Sequence, residues 1–121
     1  MYKVYKNDVY PFCLIVGKMD DLDEINKEYE TWDRKNIEPR KTSEATTYAV
    51  HRKGTNYAAI CVLFNVIPTI RLTAHESLHV TYLVLDILCH ISLNDNTDEC
   101  YAYLIGWVAE NMYEYKRYWE D

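Results

Sequence analysis

The chain is poor in residues that break regular structure, with three glycines and three prolines among 121 residues. Collagen-like and loop-dominated architectures are thereby excluded. The isolated Gly17, Gly54 and Gly106 form no G-x-G-x-x-G motif or phosphate-cradling loop, and no G-x-S-x-G nucleophile elbow occurs. Long apolar runs are also missing. None reaches the ~18 residues that a membrane span needs, and the alternating start Met1-Tyr2-Lys3-Val4-Tyr5-Lys6 lacks the apolar block of a secretion signal. Positive charge is scarce: 13 Lys and Arg stand against 19 Asp and Glu, a formal charge of −6. That balance argues against binding nucleic acid by general electrostatics. The four cysteines, Cys13, Cys61, Cys89 and Cys100, form no C-x-x-C pair and sit among apolar neighbours. They read as buried, reduced thiols of a cytoplasmic protein.

What is present suffices for a packed core. Apolar residues make up 49 % of the chain and aromatic residues 14 %, which excludes disorder as the main state. The length suits one domain over 1–121. Residues 2–6 alternate and 11–17 form an apolar run, so both read as strands. Asp20-Asp21-Leu22-Asp23 is an acidic helix start, and Leu22, Ile25, Tyr29 and Trp32 follow at helical spacing, which predicts a helix over 21–35. A polar loop containing Pro39 spans 36–45. Strands over 46–51 and 57–66, parted by Lys53-Gly54-Thr55-Asn56, read as a hairpin. Pro68 precedes a helix over 69–90, a polar break follows at Asn94-Asp95-Asn96-Thr97-Asp98, and a last helix covers 97–117. The order β-β-α-β-β-α-α describes a small α+β domain, with a short, mainly antiparallel sheet packed on the two later helices.

His75-Glu76-Ser77-Leu78-His79 is H-E-x-x-H within the strongest helical pattern. Residues four apart on a helix lie about 40° apart in azimuth and about 6 Å apart in rise. Two imidazoles so placed can converge on one tetrahedral ion. Glu76 points elsewhere and is free to take a proton from a water nucleophile. A shuffled chain of this composition would contain the pattern about 0.01 times, which weighs against coincidence. Val80, Leu83, Val84, Leu85, Ile87 and Leu88, with Leu78 and Tyr82, spread over nearly the whole helix circumference. That predicts a central, buried helix whose histidines need partners, either a metal or ordinary hydrogen bonds.

The same helix offers no third ligand. Asp86 shares the azimuth but lies about 10.5 Å beyond His79, and His90 lies about 16.5 Å along. Asp86 reads as a structural or supporting carboxylate and His90 as a last-turn residue favoured by the helix dipole. On the next helix Glu99, Tyr103, Gly106 and Glu110 share one face. A simple αα-hairpin centred near Leu93 sets Glu110 level with the histidines. Glu99 needs the connection to run back, which nine residues reaching at most about 30 Å allow. Glu99 also fits a capping-box variant with Asn96, and Glu110 a solvated surface charge. Geometry leaves both open.

His75-Glu76-x-x-His79 followed by Glu99 resembles the glutamate-ligand zincins, or gluzincins. Glu99-Cys100-Tyr101-Ala102 resembles the E-x-x-A stretch of small zincin-like proteins encoded by phages and mobile elements. The resemblance implies a zincin-like metallopeptidase: Zn2+ held by His75, His79 and Glu99, Glu76 as general base, and a peptide or protein substrate. Three protein ligands would leave a fourth position open. The chain departs from the larger peptidases in showing no clear match for their transition-state donor; Tyr103, Tyr82, His51 and Arg71 are the candidates. The strand over 57–66, ahead of the site helix, offers an edge for an extended peptide. Two other functions are compatible with the pattern. One is a zincin-like fold kept to bind a host or phage protein, with the metal structural or absent. The other, by resemblance to some mobile-element zincins, is a peptidase that cleaves a transcriptional repressor. The aromatic, charged tail over 113–121 suits an interaction segment, a cover for the cleft or a packed helix end. Arg34, Lys35, Arg40, Lys41, Arg52 and Lys53 read as solvated surface.

Overall fold

A computed structural model describes residues 1–119. Five strands, β1 (Lys3–Lys6), β2 (Cys13–Lys18), β3 (Tyr29–Thr31), β4 (Ala45–Arg52) and β5 (Ala58–Phe64), form one sheet in the order β1-β2-β5-β4-β3. The β2–β5 pairing is parallel and the other pairings are antiparallel. The α-helices are α1 (Leu22–Glu28), α2 (Ile70–Tyr82) and α3 (Asp98–Tyr115). The chain is therefore α+β with a mixed sheet.

Strands β2 and β5, which pair with each other at the centre of the packed sheet, explain the apolar runs of the sequence. A strand covered on both faces has no solvent side and so loses its polar alternation. Leu14, Val16, Ile60, Val62 and Phe64 pack on one face with Leu72 and Val80 of α2 and Leu104, Val108 and Met112 of α3. Cys13, Ile15, Cys61 and Leu63 pack on the other with Leu22 and Ile25 of α1 and with Ile37. The β4–β5 hairpin turns at Gly54, whose φ of +76° lies in the left-handed region that favours glycine.

The structure departs from the sequence expectations at two helices. The helix predicted over 21–35 ends at Glu28, and Tyr29–Thr31 leave it to pair with Val50–Arg52. Tyr29 is buried under α1, while Trp32 is partly exposed and donates its indole N–H to the Val50 carbonyl at 3.2 Å. Ladder bonds and aromatic burial outweigh the helical spacing of this short segment. The helix predicted over 69–90 stays α-helical only to Tyr82. Leu83–Leu88 form a π-helical turn, with the Cys89 N–H donating to the Val84 carbonyl at 3.0 Å. The wider turn buries both Val84 and Leu85. His90 then adopts a φ of +57° outside the helix and is not a last-turn residue.

Two stability predictions arise from this packing. A methyl group on Gly17 would stand 2.8 Å from the Cβ of Tyr2. Gly17→Ala is expected to lower the unfolding free energy by about 1–3 kcal/mol, read as a lower urea midpoint at unchanged slope. Tyr2 and Tyr5 are both pushed up to about 12, first by burial and then by Glu28 for Tyr2 and Glu114 for Tyr5. In the unfolded chain tyrosine ionises near a pH of about 10. A folded-state pKa raised above the unfolded one stabilises the fold below the unfolded value and ceases to do so as pH rises through the folded value. Urea midpoints are therefore expected to fall between about pH 10 and 12, and the Tyr2→Phe, Tyr5→Phe double variant should show a shallower fall.

Candidate metal centre

Thr69 caps α2, its Oγ1 accepting the Leu72 N–H at 3.2 Å, and this fixes how the helix leaves β5. Taking His75 as zero on an ideal helix, His79 lies at about 40°, Leu72, Glu76 and Val80 at about 60–140°, and Ser77 and Thr81 at about 200–240°. The residues from Leu72 round to Thr81 are buried. His75, His79, Leu78 and Tyr82 occupy the exposed arc. The helix is thus half-buried, not buried all round, because neither sheet nor α3 covers the arc that carries the histidines.

The two Nε2 atoms converge to 3.2 Å, with ring centroids 4.9 Å apart and planes inclined at 70°. Two nitrogens bound to a tetrahedral zinc at ~2.05 Å stand about 3.3 Å apart, so the imidazole pair fits such an ion. The side chains of the motif differ sharply in environment: His75 is 62 % exposed and Glu76 6 %. Glu76 Oε2 lies 3.6 Å from His75 Nε2, and Oε1 accepts a hydrogen bond from the Thr47 hydroxyl at 2.8 Å. His75, Glu76 and His79 bring one potential ligand atom each within 4.8 Å of one another. They open onto a groove of about 330 Å³ also lined by Arg40, Ser43, Thr46, Thr47 and Tyr82.

Glu99 and Glu110 lie outside this group. The sheet order explains why. The Glu76–Thr47 bond turns the 60–100° flank of α2 toward β4, whereas α3 lies against α2 and above β2, on the far side of β5 from β4. Glu99 is exposed in the first turn of α3, where a carboxylate complements the helix dipole. It forms no capping box: the cap residue is Thr97, whose side chain makes no capping bond to the helix. Glu110 is exposed farther along α3. Asp86 accepts from the Ser92 hydroxyl at 3.3 Å, a structural role.

Of the four candidate transition-state donors, Tyr82 alone lines the groove. His51 is buried beside Glu30, with Nε2 3.3 Å from its Oε2. Arg71 pairs with Glu44 at 3.0 Å, and Tyr103 stacks obliquely on Tyr10.

The expected peptide-pairing edge is also relocated. β5 lies between β2 and β4 and has no free edge. The edge next to the histidines belongs to β4, because β3 covers only Val50–Arg52. Among the described residues no strand pairs with the outer side of Ala45–Ala49.

The tail does not cover the cleft. Tyr115 is buried and donates to the Met1 carbonyl, and Lys3 and Lys18 lie over Tyr118 and Trp119 on the β1–β2 side of the sheet. Glu120 and Asp121 fall outside the described residues.

Thr47 joins the site without having been singled out in the sequence, and Arg40, read there as solvated surface, lines the groove. Thr47 lies in the expected strand, but its meeting with Glu76 depends on where α2 crosses β4. All four cysteines are unpaired, and burial raises the thiols of Cys61, Cys13 and Cys89, so none of these three is primed as a nucleophile. No protein-family model matches the chain, and no curated protein or solved structure matches it either.

Proposed function

We propose that this chain is a small zincin-like peptidase that hydrolyses peptide bonds with a divalent cation, zinc by its donor chemistry. The observation that carries the reading is the convergence of the His75 and His79 Nε2 atoms to 3.2 Å beside the buried Glu76 carboxylate. His75 and His79 would hold the ion, which when bound supplies Lewis acidity toward a water nucleophile and the scissile carbonyl. Glu76 Oε2 accepts the proton of the attacking water and delivers it to the leaving amine. Tyr82, which lines the groove, would donate to the developing oxyanion. The unpaired edge of β4 offers backbone N–H and C=O groups to align an extended chain along the groove. Four free thiols fit a cytoplasmic setting, and among the described residues no helix is long and apolar enough to cross a membrane.

Glu99 is the third ligand implied by the resemblance to gluzincins, and it is not among the residues grouped with His75 and His79. Two imidazoles hold an ion less firmly than three ligands do. The expected behaviour is therefore zinc that is lost on dialysis and restored by titration, with cleavage of a denatured peptide pool that follows zinc and stops with chelator. Absence of zinc uptake, or background cleavage insensitive to chelator, would overturn the reading.

A second reading rests on the apolar surface beside the histidines, where Leu78 is 57 % and Tyr82 51 % exposed. It takes this face as a docking surface for a host or phage protein, without turnover. Equal background from wild type and Glu76→Gln in the same assay would favour it.

A further inference from the structure

We infer that Thr47 is a positioning residue that keeps Glu76 a base and prevents it from becoming a metal ligand; the inference rests on the metal site proposed above. Glu76 is close enough to take either part. Its Oε2 is 3.6 Å from His75 Nε2, and with no carboxylate from α3 in the group it is the remaining ligand candidate beside the imidazoles. A free carboxylate next to a cation short of protein ligands would bind it, and a bound carboxylate would lose its capacity to accept a proton. Thr47 opposes that collapse. Its hydroxyl donates to Oε1 at 2.8 Å, the one hydrogen bond the carboxylate receives among the described residues.

The anchor is stiff because Thr47 sits mid-strand, in register with Val62 of β5, while the histidines ride on α2. The bond therefore ties the carboxylate to the sheet and not to the helix that carries the ligands. Glu76 is 4 % exposed, so water cannot readily replace the lost donor. A buried carboxylate without a partner is costly, and the cation would be the nearest compensation.

The test uses opposite signs. Co2+ is titrated into the whole chain by its visible absorption, and zinc-supported peptide hydrolysis is measured in parallel, for wild type, Thr47→Val, Thr47→Ala and Thr47→Ser. Valine keeps the shape and the strand preference of threonine. Thr47→Val and Thr47→Ala are expected to bind Co2+ about tenfold more tightly, with an altered spectrum as a carboxylate oxygen joins the ion. Their kcat should fall about 10–100-fold with KM unchanged. Thr47→Ser should keep wild-type values of both. Weaker Co2+ binding together with lower kcat would show simple loosening of the site and overturn the inference, as would no change in either. If wild type binds Co2+ but cleaves nothing, the peptidase reading fails while the affinity and spectral comparison still decides the role of Thr47. If wild type binds no Co2+, the metal site fails and takes this inference with it.

Discussion

Glu76→Gln is expected to lower zinc-supported peptide hydrolysis by about 10²–10⁴-fold, the range for losing a positioned acid–base group, while zinc uptake by His75 and His79 is unchanged. The amide is nearly isosteric with the carboxylate, and its carbonyl oxygen can still accept the Thr47 hydroxyl in place of Oε1. The glutamine cannot take a proton from water, so only the chemical step suffers. Removing a buried charge also relieves desolvation, and the thermal midpoint should not drop. His75→Ala and His79→Ala should instead abolish uptake, because each removes one of the two converging nitrogens. The separation of these phenotypes is the point of the experiment. A docking surface without turnover predicts no chelator-sensitive rate for Glu76→Gln to lose, and a purely structural ion predicts that the histidine variants lose zinc uptake and stability with no peptidase rate to lose.

The sequence made the local part of this site legible and the non-local part opaque. His75 and His79 converge because helical periodicity alone puts them on one arc, and their identity sufficed to predict it. The interior strands β2 and β5 could be read from their unbroken apolar runs. Thr47 illustrates the limit: its strand was legible, but its partner across 29 residues is set by the β4–β5 register and the crossing of α2. The flank on which α3 lies has the same origin, since it follows from β2, not β4, sitting beneath α3. Tyr29-Glu30-Thr31 carried helical spacing yet became an edge strand, because the ladder offered by Val50–Arg52 is invisible to a local window. Leu83–Leu88 kept an apolar pattern that does not distinguish an α-turn from a π-turn.

Leu104→Ala is expected to destabilise the protein by about 2–5 kcal/mol, the cost of truncating a large buried side chain into a partly relaxed cavity. Leu104 is fully buried in the cluster that joins α3 to α2 and to the even-numbered side chains of β2 and β5. Its loss would use up a large fraction of a typical domain's margin of about 5–15 kcal/mol, visible as a lower urea midpoint. Glu99→Ala, one and a half turns earlier on the same helix, should leave both zinc affinity and the midpoint near wild type. The pair of variants asks what α3 is for. If it is a buttress, as its place above β2 implies, the apolar face matters and the first-turn carboxylate does not. If Glu99→Ala instead abolished zinc binding at unchanged stability, α3 would have to reach the histidine flank in the metal-bound protein. The π-helical turn and the loop from Cys89 to Thr97 would then have to repack, since they alone connect the two helices. The mutational contrast thus separates a helix that supports the site through packing from one that completes it through ligation.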